Sequence, residues 1–376
     1  MEKKSLKVII SGGGTGGHIF PAISIANALR EINPGVDILF VGAEGRMEME
    51  KVPASGYPIV GLPVVGLQRK LTLKNISFVF KLLRSTRMAS SIVAKFKPDV
   101  VVGVGGYASG PILRVAQRKG VPTLIQEQNS YAGITNRLLA KRAKAICVAY
   151  EGMDKYFPAN KIVITGNPVR QGIDSVEPKA EEAMKFFEIP AGNRVILVVG
   201  GSLGARTINQ SVLKGVEEIE KQQDIILIWQ TGKLYYDGIR AEMALKKLKN
   251  VRLFDFINRM DLAYATADLV ISRAGACTIS ELCLVGKPAI LVPSPNVAED
   301  HQTKNANALV KKGAAALVPD SDAPDRLVSK ALELVSNPEA LKGLALNVKT
   351  MALPDAAAAI AGKVLEIAKG KTDIQP

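Results

Sequence analysis

Lys7-Val8-Ile9-Ile10-Ser11 runs straight into Gly12-Gly13-Gly14-Thr15-Gly16-Gly17-His18, and a helical pattern follows from Pro21 through Leu29. A short apolar run ending in glycines reads as a buried strand, a tight loop and a helix start. The same order returns in the second half, as Val195-Ile196-Leu197-Val198-Val199, then Gly200-Gly201-Ser202-Leu203-Gly204, then a helix holding Ile208, Val212 and Val216. Two such openings predict an α/β protein of two doubly wound, Rossmann-like domains. The alternative is one large sheet with a coincidental second turn, and a length of 376 residues sits better with two domains.

Working outward, further strands are expected at 37–41, 100–104, 123–126, 145–148 and 162–165, and then at 225–230, 251–254, 269–272 and 289–292. Turn residues Gly166-Asn167-Pro168 mark the boundary, and 356–368 reads as a terminal helix opened by Pro354-Asp355.

Charge is unevenly spread. Residues 1–165 hold 23 Lys+Arg against 10 Asp+Glu, while the remainder holds 26 against 25. The excess in one half points to a polyanionic partner: nucleic acid, anionic lipid or a diphosphate. Between Glu50 and Asp99 there is no acid at all. Lys70, Lys74, Lys81 and Arg84 are interleaved there with Leu71, Ile76, Phe80 and Leu83. Such a stretch suits the surface of an anionic bilayer, apolar side inward, although a core helix with a solvated basic face has the same pattern. Cys147, Cys277 and Cys283 have neither metal-ligand nor disulfide spacing, which fits a reducing compartment. No stretch reaches the ~18 apolar residues of a membrane span.

Glycines let backbone N–H groups approach an anion, and a following helix start adds positive potential. Gly12, Gly14 and Gly17 fit the dinucleotide pattern G-x-G-x-x-G, but the acid that pattern needs at the end of the second strand is missing. Asp37 begins that strand and Glu44 lies past it. Binding of NAD is therefore disfavoured. Two further clusters, 103–111 (GVGGYASGP) and 200–206 (GGSLGAR), also follow strands, where ligands sit in open α/β sheets.

With 12–22 (GGGTGGHIFPA), 126–133 (QEQNSYAG), 166–170 (GNPVR), 272–281 (SRAGACTISE) and 300–306 (DHQTKNA) added, the chain resembles the MurG family along nearly its whole length. These are the UDP-GlcNAc transferases of peptidoglycan synthesis that convert lipid I to lipid II. The resemblance implies a GT-B fold, two Rossmann-like domains with a cleft between them. It also implies a C-terminal helix that returns to the first domain, giving domains of 1–166 plus 355–376 and 167–354. It implies an inverting transfer with no cofactor and no catalytic metal. The expected partners are UDP-GlcNAc, lipid I and an anionic membrane surface, without nucleic acid, and the expected location is the cytoplasmic face of the plasma membrane, peripherally bound. One departure is Gln126, where family members commonly carry His. His18 and His301 are then the only histidines.

The same resemblance distributes roles. The UDP-GlcNAc site takes Thr15, Gly16, Gly17, Asn129, Arg170, Ser202, Ile257, Ala276, Cys277, Thr278, Ile279, Ser280, Glu281 and Gln302. Within it, Glu281 accepts from the ribose hydroxyls, the N–H groups of 276–278 face the diphosphate, and Arg170 balances charge on leaving UDP. Ile257 reads uracil through its backbone, while Asn129 and Gln302 hold the GlcNAc. Gly14, Gly105, Gly106, Tyr107 and Ser109 border the acceptor diphosphate. His18 is the general base, since an ordinary imidazole titrates near neutral pH, at about 6.5. A phosphate ligand or a helix-start packing residue would have the same sequence context. Glu127 is the rival base, or else orders its loop. Competing readings are a non-hydrolysing UDP-GlcNAc 2-epimerase of the same fold and a basic nucleic-acid-binding module. The latter lacks the interleaved aromatics expected of it.

Overall fold

A computed structural model describes residues 5–64, 74–170, 172–175, 177–201, 203–246 and 248–372, with the backbone alone for 74–79, 298, 371 and 372. The chain divides into two compact units, residues 1–170 with 353–376, and residues 171–352.

The first unit carries strands β1 (Lys7–Gly12), β2 (Asp37–Ala43), β3 (Ile59–Leu62), β4 (Val100–Gly105), β5 (Thr123–Glu127), β6 (Ala145–Val148) and β7 (Ile162–Ile164). Its helices are α1 (Gly16–Ile32), α2 (Glu48–Ala54), α3 (Lys74–Phe96), α4 (Ser109–Arg118) and α5 (Ile134–Ala140). The strands form one sheet in the order β3-β2-β1-β4-β5-β6-β7, parallel at every pairing.

Side chains alternate between its two faces, as the pleat requires. Val8 and Ile10 of β1 join Ile25 and Leu29 of α1 on one side. Ile9 joins Val93 of α3 and Ile112 and Leu113 of α4 on the other. Because both faces are covered, these strands read in the sequence as continuous apolar runs.

The second unit repeats the plan with β8 (Arg194–Val199), β9 (Ile225–Gln230), β10 (Val251–Phe254), β11 (Leu269–Ser272), β12 (Ala289–Leu291) and β13 (Ala316–Leu317). α6 (Glu181–Phe186) precedes these strands, and between them run α7 (Arg206–Glu220), α8 (Tyr236–Lys246), α9 (Met260–Thr266), α10 (Ala276–Val285) and α11 (His301–Val310). Two more, α12 (Ala323–Val335) and α13 (Pro338–Thr350), follow the last strand. The sheet order is β10-β9-β8-β11-β12-β13. Trp229 of β9 is fully buried in the core that α7 and α12 close over, and its Nε1 donates to Asn209 Oδ1 at 3.1 Å.

The last helix, α14 (Ala356–Thr372), belongs to the first unit, where Ile360, Ala361 and Val364 pack against the α1 face of the sheet. The unit boundary falls slightly beyond the turn at 166–168, for a local reason. Asn167 donates to Gln128 O at 3.0 Å and accepts from Gln126 Nε2 at 3.0 Å, while Ser24 Oγ donates to Val169 O. Those bonds hold 166–170 to the first sheet. Among the described residues, no helix is long and apolar enough to cross a membrane.

In each sheet the strand order reverses once, between β1 and β4 and between β8 and β11. At such a switch point the chain leaves adjacent strands toward opposite faces of the sheet, and ligands in open α/β folds sit at the strands' C-terminal ends. All three glycine clusters leave these strands.

Candidate active site

In the first unit, the loops after β1 and β4 are packed against each other. A Cβ on Gly106, whose φ is +86°, would overlap the carbonyl oxygen of Gly13, so this close approach requires glycine. Thr15, in extended conformation, precedes α1, and no acid occupies the helix's first turn. The half-buried His18 ring lies over Gly105. Its Nδ1 is 3.1 Å from Gly13 O and 3.2 Å from Thr15 Oγ1. A carbonyl can only accept, so the contact assigns the proton to Nδ1 and leaves the lone pair on Nε2. That tautomer is the one able to take a proton at Nε2.

Gly14, Thr15, Gly16, Gly17, His18, Gly105 and Gly106 thus come together as the sequence suggests. Tyr107 stands 60% exposed beside them. Two of the acceptor-diphosphate assignments need correction. Ser109 is fully buried, and its Oγ lies 2.9 Å from Ser11 O and 2.8 Å from Gly105 O. Its hydroxyl ties the two loops together instead of facing a ligand. The N–H of Gly14 is directed to the buried carboxyl of Glu48, at 3.2 and 3.1 Å, so it is not offered to a phosphate. Glu48 belongs to none of the sequence motifs.

Glu127 also changes role. It is 2% exposed, and its oxygens accept from Asn129 N, Asn129 Nδ2, Gly133 N and Asn136 Nδ2 at 2.8–3.3 Å. Burial raises its pKa, while these bonds oppose the shift. A carboxyl enclosed in this way, with both oxygens accepting from its own segment, orders the 127–136 loop. Asn129 turns its amide N–H toward it. Gln126, fully buried, is part of the amide cluster with Gln128 and Asn167 that anchors 166–170, the segment bearing the exposed Arg170.

In the second unit, a pocket of about 580 Å³ opens where the loop after β8 meets those after β11 and β12. Gly200, Gly204, Arg206, Arg273, Asn296 and Gln302 are among the residues lining it. Gln302 accepts from Ser294 N at 2.8 Å, which leaves its amide NH₂ as a donor. Arg273 donates to Val292 O at 3.1 Å, to Pro293 O at 3.2 Å and to Asp320. Asp320 also accepts from Thr207 Oγ1 at 2.9 Å. One ion pair, little exposed, therefore ties the ends of β11 and β12 to the first turn of α7. Arg206 and Arg273 stood inside the quoted motifs, yet neither received a role from the sequence.

Beyond Arg273, Gly275 caps α10, whose first turn (Ala276, Cys277, Thr278) carries no acid and presents its N–H groups at the helix's positive end. Ile279 is buried and Ser280 half-buried in the next turn, and Glu281 is 7% exposed with its Oε2 accepting from Tyr264 at 3.0 Å. The N–H of Ile257 is bound to Gln230 Oε1 at 2.8 Å, so a uracil contact by this residue falls to its carbonyl. Ser202 and Lys70 lie outside the described residues, as do the side chains of Lys74 and Ile76. On α3, Phe80 and Leu83 are 69% and 53% exposed, beside exposed Lys81 and Arg84.

Comparison with known proteins agrees with this architecture. The model of the glycosyltransferase family 28 N-terminal domain matches residues 8–148, and that of the C-terminal domain matches 195–360. A Bacteroides fragilis UDP-N-acetylglucosamine--N-acetylmuramyl-(pentapeptide) pyrophosphoryl-undecaprenol N-acetylglucosamine transferase is 57% identical over 97% of this chain and 96% of its own. A Porphyromonas gingivalis protein of the same name is 56% identical over 96% of both. The crystal structure of Acinetobacter baumannii MurG superposes with a TM-score of 0.78 at 29% identity, covering 96% of this chain and 99% of that one. A Neisseria meningitidis UDP-GlcNAc 2-epimerase, at 16% identity and a TM-score of 0.65 over 96% of this chain and 100% of that one, shares the fold alone. With models of both halves matched and this identity running through both sheets, the chain belongs to glycosyltransferase family 28, has the GT-B fold and groups with the MurG enzymes.

Proposed function

We infer that the chain transfers GlcNAc from UDP-GlcNAc to the C4 hydroxyl of MurNAc in lipid I, forming lipid II. The carrying observation is the 57% identity to a transferase of that name, sustained over 97% of the chain. In chemical terms, the hydroxyl oxygen attacks C1 of GlcNAc while the C1–O bond to the diphosphate breaks. The bonding pair leaves with UDP, the hydroxyl proton passes to Nε2 of His18, and configuration at C1 inverts. The Nδ1–H tautomer of His18 supports its part as base. Glu127 orders the neighbouring loop. UDP takes the pocket at 200–206 and the N-terminus of α10, where a developing negative charge is stabilised by the helix end. The Arg273–Asp320 pair holds those two elements in register, and Arg170 supplies further positive charge.

The acceptor's lipid tail requires the enzyme to work at a bilayer surface. The exposed Phe80 and Leu83 with Lys81 and Arg84 are suited to the cytoplasmic leaflet, where apolar side chains enter the interface and cations meet anionic headgroups.

The direct test is incubation with labelled UDP-GlcNAc and a short-chain lipid I analogue, with and without EDTA. Label should pass to the analogue at a rate EDTA does not change; absence of transfer overturns the reading. His18→Ala should lower kcat by about 10²–10⁴-fold with UDP affinity nearly unchanged. Equal losses in both would make His18 a ligand for phosphate.

A further inference from the structure

We propose that Glu48 is a positioning residue that sets the tautomer of His18 through the Gly13–Gly14 peptide, an inference resting on His18 as the base. Glu48 opens α2 and is fully buried. Its Oε1 accepts from Ala43 N at 3.0 Å and from Gly14 N at 3.2 Å, and its Oε2 from Gly14 N at 3.1 Å. Space for it exists only because two neighbours lack side chains. A Cβ on Gly13 would overlap Oε1, and one on Gly42 would come within 2.6 Å of Cγ.

The N–H of Gly14 and the C=O of Gly13 belong to one peptide unit. In a planar trans peptide these two groups point in opposite directions. Directing the N–H to Glu48 therefore directs the carbonyl away from it, and that carbonyl is the one 3.1 Å from His18 Nδ1. A peptide between two glycines is the easiest kind to rotate, since neither flanking residue has a Cβ to restrict it. Rotation by half a turn would present an N–H to Nδ1. The imidazole would then keep its lone pair on Nδ1 and its proton on Nε2, and could accept no proton there. Glu48 holds the peptide in the orientation that gives a base.

The experiment uses the full-length protein labelled with ¹⁵N-histidine. Only two imidazoles are present, and His301→Gln assigns the signals. We expect His18 to carry its neutral-form proton on Nδ1. In Glu48→Gln, which keeps the side chain's size but turns an NH₂ toward one of the backbone N–H groups, we expect the Nε2–H form to appear. kcat should fall at least roughly tenfold while KM for UDP-GlcNAc stays within about twofold, a split that general loosening of the fold would not give. A wild-type His18 with its proton on Nε2 overturns the proposal, whether or not the variant folds. So does a folded Glu48→Gln with unchanged tautomer and kcat. Full turnover by His18→Ala would instead remove the base reading and leave the tautomer result standing.

Discussion

Lys287 and Glu48 show how much a single side chain depends on what the fold brings around it. Lys287 is largely buried just before β12, with Nζ donating to Ala267 O at 2.7 Å. Burial pushes its pKa down to about 8, against the opposing pull of Asp268. The unfolded chain keeps this proton up to about 10.5 and the folded chain loses it near 8, so the unfolded state binds more protons in between. Stability contributed by this group is fully present above 10.5, is lost as pH falls through the window to 8, and amounts to about 3 kcal/mol. Urea denaturation of Lys287→Met should accordingly show a flatter pH dependence between 8 and 10.5 than the wild type; equal slopes would refute it. His18 was legible beforehand because a histidine after a glycine loop is rare and local. Glu48 was not, since an acid in the first turn of a short helix has an ordinary role at a helix N-terminus. Only the folded chain brings it, from 34 positions away, beneath Gly14.

At the scale of elements, buried parallel strands announce themselves as apolar runs, and most of the sheet could be read in advance. The two that escaped have physical excuses. β3 is an edge strand interrupted by Gly61, and β13 is two residues long. The loop after β8 is held by contacts that sequence spacing does not reveal. Gly204, with φ +86°, is pressed so closely on the Thr231 carbonyl that a Cβ would overlap it. Gly204→Ala should therefore destabilise the second unit by more than about 2 kcal/mol, combining backbone strain with the displaced loop. Urea denaturation followed by the fluorescence of Trp229, the single tryptophan, measures it directly. A change under 0.5 kcal/mol, the size of a typical surface substitution, would mean the loop relaxes freely.

For the whole molecule, the uneven charge becomes a property of one unit. Residues 1–165 hold nearly the whole excess of cations, and exposed apolar side chains sit among them on α3. Sedimentation with vesicles of anionic lipid should recover the protein, and neutral vesicles or high salt should release it. Lys81→Ala combined with Arg84→Ala should weaken partitioning roughly thirtyfold, at about 1 kcal/mol per cation. Equal binding to neutral and anionic vesicles would contradict an electrostatic surface contact.

The sequence by itself determined the repeated strand, glycine loop and helix, the two parallel sheets that follow from it, and the family, because apolar runs and glycine clusters are local signals. The folded chain decided what those glycines are for. In the loop after β1 they make room for Glu48 and for the neighbouring loop as much as for any ligand. Tertiary structure also turned Glu127 from a rival base into an enclosed strut, and joined Arg273 to Asp320 across 47 positions. Each of these depends on burial and on hydrogen-bond partners far apart in the chain. A polar group's chemistry is fixed by which donors surround it once water is excluded, and that is known only after the chain has folded.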